Sequence, residues 1–154
     1  MISRTGPDVS AITDYLYISS WPRGDHAEEI RAMNVRLILS MHWFKPAKNL
    51  GDAPIRLLWL PTVDNPLLPM PIRSFWLGVE AALPVIKVGY RVLTHCRAGV
   101  HRSVAMACCV LIGMGYPSEA AIRLVREKRS VADPEVWYIR NRILKFEQQW
   151  LARK

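Results

Sequence analysis

A chain of 154 residues, 51% of them hydrophobic, can bury one good core and is read as a single domain over 1–154. No apolar run approaches the length of a membrane span, about 18 residues, and residues 1–7 and 150–154 show neither a signal-peptide core nor a prenylation box. Three cysteines, two of them adjacent, make a poor disulfide framework and suit a reducing, cytoplasmic setting, while a net charge of +8 fits anionic substrates.

Residues 9–19, around Tyr15-Leu16-Tyr17-Ile18, predict a strand or hairpin at a sheet edge. Asp25-His26-Ala27-Glu28 reads as an N-terminal cap with its acidic return, opening a short helix that ends near Asn34. Residues 35–40 form a strand, and 41–54 a loop whose Trp43 and Phe44 either touch substrate or cover a core edge. Residues 55–60 form the next strand, followed by the loop Pro61-Thr62-Val63-Asp64-Asn65-Pro66. A helix over 71–83 places Ile72, Phe75, Trp76, Val79 and Leu83 on one face, and Pro84 breaks or kinks its end.

Residues 90–94 read as a short buried strand and 103–113 as an almost wholly apolar helix. Cys108 and Cys109 belong to the core of that helix. Roughly 15 Å or more of helical rise separates them from Cys96, too far for a disulfide. Ser118 caps a further helix carrying Ala121, Leu124 and Val125, whose basic stretch over 123–129 forms a solvated face. Asp133-Pro134-Glu135 starts the last helix, with Val136, Ile139, Ile143, Phe146 and Trp150 as its buried stripe. Alternation of strands and helices makes this an α/β chain.

Between the buried strand and the apolar helix stands His95-Cys96-Arg97-Ala98-Gly99-Val100-His101-Arg102-Ser103. A loop in that context aims backbone N–H groups, and the positive end of the helix, at one spot where a phosphate binds. The same setting lowers a thiol pKa from about 8.5 to about 3.5–7.5, which makes Cys96 a nucleophile directed at the bound phosphorus. Arg102 offers a planar fork for two phosphate oxygens. Gly99 permits the φ > 0 turn that lets the amides of Arg97, Ala98, Gly99, Val100 and His101 converge. The Ser103 hydroxyl is placed to hydrogen-bond the sulfur and ease its departure, and His95 is expected to fix the loop rather than act as base.

In the form His-Cys-x-x-Gly-x-x-Arg-Ser, this stretch resembles the Cys-x5-Arg signature of the cysteine-dependent protein tyrosine phosphatase superfamily. The chain looks most like its small dual-specificity members, over nearly its whole length. The resemblance implies a central, mostly parallel sheet flanked by helices, with the active site at the carboxyl ends of the strands. It also implies a general acid on an upstream aspartate loop. Asp64, 32 residues before Cys96, holds that place, whereas its competitor Asp52 precedes the strand and lies at its far end. The implied reaction needs no metal or cofactor: Cys96 attacks phosphorus, Asp64 protonates the leaving oxygen, and Asp64 then activates the water that hydrolyses the cysteinyl-phosphate.

A chain this compact has little room for a deep, strictly tyrosine-specific cleft, so phosphoproteins carrying phosphotyrosine and phosphoserine or phosphothreonine are the expected substrates. Arg97 supplies an extra cation, and His101 is similar to the inositol-pyrophosphate subgroup, with Val100 where that subgroup has lysine. An inositol-polyphosphate or phosphoinositide phosphatase therefore stays open, as do a phosphate-binding pseudophosphatase and an RNA 5′-triphosphatase. The basic residues over 123–129, with Arg140, Arg142 and Lys145, lack the interleaved aromatic residues of a nucleic-acid site. Neither nucleic acid nor membrane is an expected partner, and a monomer is expected.

Overall fold

The computed structural model describes residues 6–153; the expectations for residues 1–5 and 154 lie outside them. β1 (Val9–Ala11) and β2 (Leu16–Ser19) form an antiparallel edge hairpin. β3 (Val35–Ser40), β4 (Arg56–Trp59) and β5 (Arg91–His95) extend it in parallel, giving a five-stranded sheet of order β1-β2-β5-β3-β4. The fold is α/β with a mostly parallel sheet, and β5, paired on both sides, is its centre.

Successive side chains of a strand face opposite sides of the sheet, and the sequence fills both sides with apolar groups. Leu16, Ile18, Leu37, Leu39 and Val92 face the larger core, built with α2 (Ile72–Lys87), α3 (Arg102–Gly113), α4 (Ser118–Lys128) and α5 (Trp137–Ala152). Tyr17, Ile38 and Leu93 face a smaller one under α1 (Ala27–Ala32). α3 is buried from Arg102 to Ile112, as a helix apolar on every side after its first two residues must be at the centre of a layer. Cys108 and Cys109 are free thiols inside it, and burial pushes both up from the usual thiol range. Among the described residues no helix is long and apolar enough to cross a membrane.

Several element ends differ from the sequence reading. α2 continues through Pro84 to Lys87 because Pro84 and Glu80, whose carbonyl loses its helical donor there, are both exposed to water. Val85 and Ile86 beyond it still pack on the core. Asp25 is not a cap: Gly24–His26 is a 3₁₀ turn whose start is held by the Arg23 N–H on His26 Nδ1 (3.1 Å), and Asp25 pairs with the Arg23 side chain at 3.0 Å. Ser118 does not cap α4 either. Its N–H and O–H donate to the Glu147 carboxylate on α5, at 2.6 and 2.8 Å. α5 begins at Trp137, later than Asp133-Pro134-Glu135, whose residues are engaged elsewhere: the Asp133 N–H donates to the Val100 carbonyl (2.9 Å) and Glu135 accepts from Arg126 (2.6 Å). Arg129 is not part of a solvated face but is 2% exposed.

Candidate active site

The parallel strands β3, β4 and β5 end on one edge of the sheet, so the loops after them meet there. From β5 the chain turns through residues 96–101 and enters α3 at Arg102. Four successive carbonyls of this loop are bonded to groups outside it. Arg97 accepts the Trp21 N–H (2.9 Å), Ala98 and Gly99 accept from Arg129 (3.1 and 2.8 Å), and Val100 accepts the Asp133 N–H (2.9 Å). A peptide's C=O and the following N–H point opposite ways, so these bonds turn the amides of Ala98, Gly99, Val100 and His101 to the other side of the loop. His101 stands at the N-cap without a side-chain cap bond, which leaves the first amides of α3 to another acceptor. Gly99 has φ +67, and a Cβ there would sit 2.5 Å from Arg129 Nη2 and 2.8 Å from the Ser19 carbonyl.

Cys96 is 3% exposed, with its Sγ 3.2 Å from Ser103 Oγ. Burial pushes the thiol up, but the Ser103 hydroxyl and N–H, the Arg102 charge and the Gly99 N–H outweigh it and bring it below its ordinary value. His95 lies wholly buried behind the loop, its Nδ1 3.2 Å from the Cys96 carbonyl. Burial brings that imidazole down to about 4, so it is neutral at pH 7. Arg102 is buried too: Nη1 donates to the Thr62 carbonyl at 2.8 Å, and Nε has no protein partner. The Thr62 hydroxyl in turn donates to the Met41 carbonyl, so the guanidinium is held by the loops after β3 and β4.

Asp64 reaches the same place from the loop after β4. Tyr138 O–H donates to its Oδ1 at 2.6 Å, and His101 Nδ1 stands 2.8 Å from its Oδ2. Burial pushes the carboxyl up, yet those two bonds and the charges of His101 and Arg102 hold it below the ordinary range. Burial and the bond to Asp64 push the Tyr138 hydroxyl up to about 12. Asp52 lies in another surface hollow, with Gly24 and Asn49, away from Cys96.

One open cavity of about 380 Å³ is bordered by Cys96, Arg97, Ala98, Val100, His101, Arg102 and Asp64, with His42, Trp43 and Phe44 as its aromatic wall. Gly99, Ser103 and His95 support it from behind. A larger hollow of about 570 Å³ lies along α4, but there Arg126 is paired with Glu135 at 2.6 Å, and no cysteine lines it. Sequence reasoning missed Tyr138, Asp133 and Arg129. Only Arg129 left a trace, as the one member of its basic run that recurs on the buried face of α4, four residues after Val125.

No protein-family model matches the chain. It is 29% identical over 157 residues to mouse dual specificity protein phosphatase 22, across 97% of this chain and 83% of that protein. It is 26% identical over 160 residues to the tyrosine-protein phosphatase yvh1 of Schizosaccharomyces pombe, across 96% of this chain, but spans only 48% of that relative's length. The crystal structure of human DUSP28 superposes with a TM-score of 0.82 at 20% identity, covering 97% of this chain and 99% of that one. The signature loop, the sheet order and these relatives agree: the chain is similar to the small dual-specificity type of the protein tyrosine phosphatase superfamily.

Proposed function

We propose that the chain is a single catalytic domain that hydrolyses phosphomonoesters of proteins, phosphotyrosine and also phosphoserine and phosphothreonine, through a cysteinyl-phosphate and without a metal. The observation that carries this reading is one cavity holding a thiol of lowered pKa beside Arg102, faced by the Asp64 carboxyl. The thiolate of Cys96 attacks phosphorus. The loop amides and Arg102 take the equatorial oxygens, and donors preorganised in this way usually contribute more to catalysis than any other single effect. Asp64 serves the leaving oxygen and then the incoming water. Ser103 stabilises the sulfur as it leaves, and buried, neutral His95 holds the Cys96 carbonyl rather than moving protons. The three free thiols accord with a reducing cytoplasm.

The test is kcat/KM on phosphotyrosine, phosphoserine and phosphothreonine peptides beside an inositol polyphosphate, with chelator present. Turnover of both peptide classes is expected, abolished in Cys96→Ser with phosphate binding retained. Asp64→Asn should lower kcat by ~10²–10⁴ on poor leaving groups. A second reading rests on Arg97, which is exposed beside His42 at the cavity mouth and is placed to take a further phosphate. Strong preference for the inositol compound would put that reading first.

A further inference from the structure

Both oxygens of the Asp64 carboxyl are occupied, Oδ1 by the Tyr138 O–H at 2.6 Å and Oδ2 by His101 Nδ1 at 2.8 Å. On the far side of the imidazole, Nε2 lies 3.7 Å from Asp133 Oδ2. The charged and titratable groups around the ring are thus Asp64 after β4, Asp133 ahead of α5, Tyr138 on α5 and Arg102 at the start of α3, with Cys96 on the same cavity. A carboxylate only accepts hydrogen bonds, so with O–H and Nδ1–H as donors Asp64 has no proton of its own to give. A neutral ring donating from Nδ1 would turn the Nε2 lone pair toward Asp133. A ring protonated on both nitrogens donates to both carboxylates.

We propose that His101 carries the proton that Asp64 delivers, the two forming a relay whose carboxyl is fixed in posture by Tyr138. This rests on the reading of Asp64 as general acid. As the thiolate electron pair forms the S–P bond and the P–O bond breaks, the leaving oxygen takes a proton from Asp64 Oδ2, supplied in turn by His101 Nδ1. In the second step the water oxygen bonds phosphorus, the S–P electrons return to Cys96, and the water proton passes through Asp64 back to His101. Thiolate, carboxylate and imidazolium end as they began. The relay answers a difficulty of the site: Tyr138, His101 and Arg102 together hold the Asp64 carboxyl low despite its burial, so alone it would be an ionised base at neutral pH.

The pH profile of kcat on an aryl phosphate with a poor leaving group separates a relay from a simple hydrogen bond. Coupled groups titrate as a pair, and here the alkaline limb reports loss of the shared proton. If His101 only stabilised the carboxylate, His101→Gln would shift that limb to higher pH, as Tyr138→Phe is expected to do. With a relay, His101→Gln moves it to lower pH, because the carboxyl must then hold the proton alone. Turnover at pH 7 then falls ~10–10²-fold, at or below the lower end of the ~10²–10⁴ that a lost general acid costs. Asp133→Asn, on a separate segment, moves the limb the same way by about half a unit and decides the matter if His101→Gln fails to fold. The rate of Cys96 alkylation by iodoacetamide reports whether the loop is intact. A limb that stays in place or rises in both His101→Gln and Asp133→Asn overturns the relay. Turnover of poor leaving groups undiminished in Asp64→Asn would instead overturn the general-acid reading on which it stands.

Discussion

Gly99 is the point where the backbone path of the loop is decided. Its φ of +67 lies in the left-handed region, and the space a side chain would need is already taken by Arg129 Nη2 and the Ser19 carbonyl. Gly99→Ala combines the 1–3 kcal/mol or so of such a backbone with a clash against main chain that cannot move aside. We expect a loss of roughly 2–4 kcal/mol in urea denaturation and a kcat/KM at least about tenfold lower, since misplaced amides forfeit oxyanion stabilisation. Native stability and turnover in the alanine variant would show that the loop path does not depend on this residue. Gly99, Cys96 and Arg102 were legible in the sequence because their geometry is local: seven residues between a strand and a helix contain all of it. Tyr138 was not, since it meets Asp64 from 74 residues away, and only the packing of α5 brings the two together.

Arg129 shows how elements remote in sequence share one constraint. At the C-terminal end of α4, its buried guanidinium donates to the Gly99 and Ala98 carbonyls, to Ser10 Oγ on β1 (3.0 Å) and to Asp8 Oδ2 (2.8 Å). The edge hairpin, α4 and the catalytic loop are thereby fastened at one group. Arg129→Met leaves two loop carbonyls without donors and should cost about 2–4 kcal/mol, with a fall in kcat. Arg129→Lys should recover part of the stability but little of the kcat, because a single ammonium cannot span the acceptors that a planar fork does. Asp8 is largely exposed, so Asp8→Asn should cost no more than about 1 kcal/mol. Equal kcat in the methionine and native proteins would remove Arg129 from the positioning of the loop. The same element scale explains where sequence reading slipped. Ser118 and Asp133 are good cap residues by type, but Ser118 donates to Glu147, and the Asp133 carboxylate faces His101 Nε2 at 3.7 Å. Pro84 does not end α2, because Glu80, whose carbonyl it leaves without a helical donor, is exposed to water.

Across the whole molecule the strand–helix alternation was readable, since period-2 and helical apolar patterns are local, whereas the ring of groups that α5 closes over the site depends on tertiary packing. One consequence of that packing is an acid sensitivity. His95 ends the central strand, wholly buried, with the Trp21 ring edge-on at 5.6 Å and the Arg102 charge near it. Burial, which the bond to the Cys96 carbonyl offsets only in part, brings the imidazole from its ordinary 6.5 down to about 4. Between those values the unfolded chain binds a proton that the folded one refuses, so stability rises with pH there. This contribution is complete above pH 6.5, is lost as pH falls toward 4, and changes no further below. Its size is on the order of 3 kcal/mol. His42, also lowered by burial, adds to the same slope. Urea denaturation at half-unit steps from pH 7.5 to 3.5 measures it. His95→Asn should be less stable at pH 7, having lost a fitted ring, yet should show a much flatter dependence between pH 6.5 and 4. An unchanged slope in that variant would assign the acid sensitivity to His42 or to the carboxylates, and would mean that the buried end of β5 admits a proton without cost.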